Sequence, residues 1–265
     1  LLIAANIAVA MLAKGNPGRA MGLFASVAVL LLAGVIAGKG SIALWSIVVV
    51  VGRLWGYAVA YDLTVSWSRW ILVVCEKVCG LRYVVEGMEN LPGDNSVVLL
   101  KHSSAYETIA QWVLFPRQTW VLKKEILWTP FLGWAVAGVK PIAINRQAGR
   151  RAVDQVIAQG RQRLSEGLWV MIFPEGTRMP PGQTRKYGVS GALLAIEAGK
   201  LLVPVAHNAG DYWPRRGWLK RPGTVIFRIG KAVDPAGRDP RDVNAEVQQW
   251  IEAEVATMRK LAGPH

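Results

Sequence analysis

The chain has two cysteines and three histidines in 265 residues, and no acidic residue at all before Asp62. Each shortage excludes something. Cys75 and Cys79 stand four apart in a helical pattern, a poor geometry for a disulfide within one helix, and both read as reduced thiols in a reducing, cytosol-facing compartment. With histidine limited to His102, His207 and His265, a mixed His/Cys metal centre lacks ligands. The absence of negative charge from residues 1–61, where Lys14, Arg19, Lys39 and Arg53 are the only charged side chains, sets that stretch apart from ordinary soluble sequence. No internal repeat or low-complexity segment is evident. Because the chain begins at Leu1 rather than Met, a preceding segment is expected, with 1–13 as the tail of a signal-like or spanning element.

Apolar sequence takes the place of the missing charge. Hydrophobic residues make up 52% of the chain. Residues 20–38 form an uncharged apolar run long enough to cross a hydrocarbon core. After Lys39 and Gly40 a second run, 41–61, is broken by Gly52, Arg53 and Gly56. The pair predicts a helical hairpin, spanning or re-entrant. Residues 62–79 predict an amphipathic helix with Trp67 and Trp70 suited to a membrane interface, stopped at Gly80. The formal charge of +13 fits either nucleic acid or an anionic lipid surface. No basic helix or zinc module supports nucleic acid, whereas basic residues interleave with tryptophan, as in 212–223. The lipid surface is favoured.

Beyond residue 80 short apolar runs alternate with helical periodicity. Strands are predicted at 82–86, 96–101, 119–123, 141–145, 168–173, 201–206 and 224–230, and helices at 104–115, 147–165, 187–199 and 241–261. This interleaving predicts an α/β layered domain. The chain therefore divides into a membrane-associated helical segment, 1–79, and an α/β domain, 80–265. The aromatic stretch 126–137 either lines a route for an apolar ligand or packs in the core.

Three segments carry chemistry. In HSSAYE (102–107) a histidine follows an apolar strand, and Ser103 and Ser104 can cap the helix after it. Glu107 then lies about one turn along, placed to accept the imidazole N–H and leave the other nitrogen free as a general base. In FPEGTR (173–178) an apolar strand ends at Phe173 and Gly176 permits a turn. Glu175, Thr177 and Arg178 are then exposed at the strand's C-terminal end, where open α/β sheets bind ligands. In GVKPIAINR (138–146) another strand delivers Arg146, with Lys140 before it. Two arginines at neighbouring strand ends would clamp a phosphate.

HSSAYE, PIAINR, FPEGTR and LLVPVA, in this order and at these intervals, resemble the four blocks of the lysophospholipid (1-acylglycerol-3-phosphate) acyltransferase family, bacterial membrane type. The resemblance covers roughly 80–231. It implies a layered α/β acyltransferase domain with a mainly parallel or mixed sheet flanked by helices, preceded by N-terminal membrane helices. By that resemblance His102 is the catalytic base and Glu107 its partner. Arg146, Glu175, Gly176 and Arg178 fall on its acceptor-binding blocks, and Val203 and Pro204 on the last block, while Lys140 and Thr177 join the acceptor site from their positions beside these. The family's usual first block has Asp where this chain has Glu107. The implied reaction passes an acyl group from acyl-CoA or acyl carrier protein to a lysophospholipid hydroxyl, with backbone N–H groups near the helix after His102 stabilising the oxyanion. No metal or bound cofactor is implied. The implied location is the bacterial inner membrane, with the site facing the cytoplasm. Alternatives are a different lysolipid or glycerol-3-phosphate as acceptor, a serine hydrolase built on Ser190 in GVSGA (188–192), or a lipid-binding protein without catalysis.

Overall fold

The structure is a computed structural model describing residues 39–130, 132–215 and 220–262. The apolar run 20–38 and His265 lie outside the described residues. All seven predicted strands form, as β1 (Leu81–Glu86), β2 (Val97–Leu100), β3 (Gln118–Lys123), β4 (Ile142–Ile144), β5 (Trp169–Ile172), β6 (Leu202–His207) and β7 (Gly223–Ile229). They make one sheet in the order β1-β7-β6-β2-β5-β3-β4. The strands β6, β2, β5, β3 and β4 run parallel, while β7 is antiparallel to β6 and parallel to β1. The central strands are continuous apolar runs because both of their faces are covered.

Strand alternation divides the core into two layers. Val98 and Leu100 point to the face packed by α2 (Tyr57–Cys79) and α3 (Tyr106–Leu114). Val97 and Leu99 point to the face packed by α5 (Arg150–Ser165), α6 (Ser190–Ala198) and α8 (Pro240–Ala262). The helix α8 buries Val243, Val247, Ile251, Val255 and Met258 along one stripe, as its periodicity predicts. Two short helices, α4 (Leu132–Ala137) and α7 (Ala209–Tyr212), complete the described residues.

The expected hairpin of 20–38 with 41–61 has its first arm outside the described residues, and within 41–61 the chain makes a hairpin turn of its own. Its described arms are α1 (Lys39–Gly52) and α2, joined by a 3₁₀ turn over Arg53–Trp55 and by Gly56, at φ 104°. The breaks at Gly52, Arg53 and Gly56 therefore make the turn itself. By length and composition α2 could cross a membrane, yet Ile71, Leu72 and Cys75 on it pack into the core beside the sheet. Both cysteines are free thiols, as expected. The stretch 126–137 divides: Ala135 and Val136 are buried against Trp45, Val49 and Ala60, while Trp128 and Trp134 are exposed.

Helices α5 and α6 approach closely because residue 160 has no side chain. A Cβ on Gly160 would lie 2.5 Å from Leu194 Cδ2. Overpacking of this kind costs roughly 1–3 kcal/mol, so Gly160→Val is expected to lower the denaturant midpoint by that order. A midpoint equal to wild type would mean the two helices part without cost.

Candidate active site

The parallel strands β2 and β5 are neighbours, with Leu99 opposite Ile172, so the loops leaving their C-terminal ends meet. His102 follows β2 and the segment 173–178 follows β5. The backbone of His102 is held from both sides. Its N–H donates to Glu175 Oε2 at 2.7 Å, and its carbonyl accepts from the Met179 N–H at 2.8 Å. The imidazole lies on the Phe173 ring, with centroids 4.1 Å apart and planes 25° apart.

Nδ1 of His102 lies 2.9 Å from Glu107 Oε1. An ionised carboxylate only accepts, so the proton of the neutral ring sits on Nδ1 and Nε2 keeps its lone pair. Nε2 has no hydrogen-bond partner among the described residues. Glu107 sits in the first turn of α3, 0% exposed, and its Oε1 also accepts from the amides of Ser103 at 3.0 Å and Ser104 at 2.8 Å. Burial alone raises the Glu107 pKa. The electrostatic pull of the two imidazoles, His207 and His102, with the hydrogen bonds from His102 and the Ser104 amide, outweighs that and holds the carboxyl below its ordinary value. Ser104 also caps α3, its Oγ accepting from the Tyr106 N–H at 3.0 Å. The amides of Ser103, Ser104 and Tyr106 are thus committed within the loop and are not free for an oxyanion.

His207, at the end of β6, is fully buried. Its Nε2 donates to the Lys101 carbonyl at 2.7 Å and its Nδ1 accepts from the Ala209 N–H at 3.1 Å. Burial lowers its pKa, and with both nitrogens committed the ring is a neutral structural group.

The acceptor-binding candidates separate. Arg146, at the end of β4, donates from Nη1 to the Gly176 carbonyl and so joins the loop after β5. Burial lowers its pKa from the usual arginine value. Gly176, at φ 68°, makes the turn that only glycine adopts without strain, and Thr177 and Arg178 are partly exposed on that loop. Arg215 reaches the Arg178 carbonyl at 3.3 Å. Two expectations fail. Glu175 is 3% exposed rather than open, because its carboxylate turns inward to His102 and the Lys101 ammonium, 2.7 Å away. Lys140 precedes a parallel strand and so lies at the opposite edge of the sheet. There it pairs with Glu166 at 2.6 Å and lies over the Tyr57 ring. The sequence reading also passed over Lys123. It ends β3 in register with Ile144, two positions before Arg146, and adds a cation at the same edge.

A histidine oriented by a buried carboxylate, its outer nitrogen open beside an arginine-bearing loop at the C-terminal edge of an α/β sheet, defines an acyltransferase acting on a hydroxyl. The Acyltransferase family profile matches residues 82–208, and a Pseudomonas aeruginosa 1-acyl-sn-glycerol-3-phosphate acyltransferase is 45% identical over 198 residues, covering 74% of this chain and 77% of the relative. The chain belongs to this acyltransferase family. The Saccharomyces cerevisiae 1-acyl-sn-glycerol-3-phosphate acyltransferase is 29% identical over 73% of this chain and 67% of its own. The fold matches the crystal structure of the Thermotoga maritima 1-acyl-sn-glycerophosphate acyltransferase, PlsC, with a TM-score of 0.66 over 86% of this chain and 92% of that one, at 20% identity.

Burial pushes the Glu175 carboxyl up to about 7 against the pull of Lys101. The folded-state value lies above the ordinary 4.5, so the stabilisation by the bound proton is complete below about 4.5 and lost as pH rises through about 7. Across that interval, melting curves are expected to show wild-type stability falling with pH relative to Glu175→Gln. Parallel curves would place the Glu175 carboxyl at its ordinary value.

Proposed function

We propose that the protein transfers a fatty acyl group from acyl-CoA or acyl carrier protein to the free hydroxyl of 1-acylglycerol-3-phosphate, giving phosphatidic acid. The single observation that carries this reading is the His102–Glu107 pair with Nε2 unbonded, beside the loop that bears Arg178 and contacts Arg146. The relatives named above act, by their names, on such an acceptor.

In this reading Nε2 of His102 takes the hydroxyl proton as the oxygen attacks the thioester carbonyl. Glu107 steadies the imidazolium that forms. Collapse of the tetrahedral intermediate breaks the C–S bond, and the thiolate leaves with the proton from His102. The amides of Thr177 and Arg178, which have no acceptor among the described residues, are available as donors to the oxyanion. Arg146 and Arg178 grip the acceptor phosphate, with the Thr177 hydroxyl beside them. The reaction so written needs no metal or cofactor.

Segment 1–79 serves in this reading as the membrane-associated part and 80–265 as the catalytic domain. Leu54 and Trp55 are exposed at the hairpin turn, and Arg53 reaches from that turn to the Trp134 carbonyl at 3.1 Å. Trp128 and Trp134 are exposed nearby, on the segment leaving β3 at the catalytic edge. Aromatic side chains so placed suit the headgroup layer. They support a site working at a membrane surface, which in this reading is the cytoplasmic face of a bacterial inner membrane. Nothing supports Ser190 as a nucleophile. It opens α6 after a loop rather than a strand, and the ring nitrogens of His207 are committed elsewhere.

Loss of a general base costs about 100- to 10,000-fold, so His102→Ala is expected to lose transfer to 1-acylglycerol-3-phosphate by that factor while keeping its circular-dichroism spectrum. Near wild-type turnover in that variant would sink the assignment. Sedimentation with anionic vesicles is expected to weaken in Trp128→Ser and Trp134→Ser, with unchanged turnover on acceptor dissolved in detergent. Wild-type sedimentation of both would remove the tryptophans from the membrane contact.

A further inference from the structure

Lys101 stands one residue before the catalytic base, yet its side chain is 3% exposed. A buried ammonium needs partners for all three of its donors. It finds Glu175 Oε1 at 2.7 Å, Glu252 Oε1 at 2.7 Å and the Gln183 carbonyl at 3.3 Å. The other oxygen of Glu175 holds the His102 N–H. A continuous path of short contacts thus runs from Glu252 on α8, through Lys101 and Glu175, to the main chain of His102. None of the three side chains is placed to touch substrate.

The far end of the path is itself braced. The Tyr187 hydroxyl donates to Glu252 Oε1 at 2.6 Å, its phenol kept protonated by burial and by the carboxylates beside it. Asn244 donates to the Tyr187 carbonyl at 3.2 Å, and Gln248 accepts from the Tyr187 N–H at 3.1 Å. Residues 244, 248 and 252 recur every four positions and so share one face of α8. That face holds the strand-like segment linking the loop after β5 to α6. Positions that a helical pattern would assign to solvent therefore grip both loops of the site.

We propose that Lys101 and Glu252 are positioning residues for acyl transfer, acting through Glu175 to fix the His102 backbone and so the direction of Nε2. This rests on the reading of His102 as the base. The ion pairs do more than stabilise the fold: they set where the imidazole points, and they make the C-terminal helix part of the active site's framework.

The test compares purified full-length wild type, Lys101→Met, Glu252→Gln and His102→Ala, with kcat taken per folded molecule and KM measured for 1-acylglycerol-3-phosphate. A small misplacement of a reacting group costs up to about 100-fold in rate. Lys101→Met and Glu252→Gln are each expected to lose about 10- to 100-fold in kcat, with KM within about twofold of wild type. Glu252 is 24% exposed at its side chain, so Glu252→Gln carries the test where Lys101→Met folds poorly. Wild-type kcat in folded Glu252→Gln overturns the proposal. A fall in activity that only follows the loss of folded protein overturns it too, since the network would then serve stability alone. An active His102→Ala would instead remove the reading of His102 on which the proposal rests, and is told apart by that variant.

Discussion

The pairing of β2 with β5 is the constraint on which the rest depends. Parallel neighbours in a sheet present their C-terminal ends together, so the loop after one strand must find polar partners in the loop after the other. Glu175 is that partner. Its carboxylate takes the His102 N–H on one oxygen and the Lys101 ammonium on the other, while the Met179 amide closes on the His102 carbonyl. Two segments about seventy residues apart in sequence are thereby fixed to within a hydrogen bond of each other.

Two buried carboxylates lie within this small volume, and the protein treats them differently. Glu107 takes three donors on Oε1 and is held in its ionised form, which suits a group that must orient an imidazole and steady its positive charge. Glu175 has Lys101 and one amide, and its pKa is pushed up by burial. An isolated buried ion is expensive, and a single partner often fails to offset the desolvation. Sharing Lys101 between Glu175 and Glu252 divides that cost across a network that reaches solvent at Glu252.

Much of the fold was legible in the sequence. Buried central strands must be apolar on both faces and so stood out as runs bounded by turns, β1 and β7 showed the alternation of half-buried strands, and the long helices showed their periodicity. Helices α4 and α7 are too short to show a period, and the hairpin turn hid inside an apolar run whose glycines read only as interruptions. Within the site, His102 and Arg146 could be read because each stands just past an apolar run, and Glu107 and Arg178 because each follows such a run within a few residues. Glu175 could not be told from an exposed loop acid, since its burial depends on Lys101 from another strand. Lys140 was misplaced for want of strand direction: a residue entering a parallel strand stands at the edge opposite one leaving it. Glu252 was invisible, because a charged position on an amphipathic helix looks the same whether it meets water or a buried lysine.

The strand order also has a consequence in time. The strand β1 pairs with β7 and with no other described strand, and β7 is the last strand to be made. During synthesis β1 must wait without a ladder while the five parallel strands emerge, although α1 and α2 can already pack on β3 and α4. Only the arrival of β7 gives β1 its ladder. A ribosome paused before residue 223 would therefore hold a nascent chain with both reactive loops already translated but its first strand unpaired.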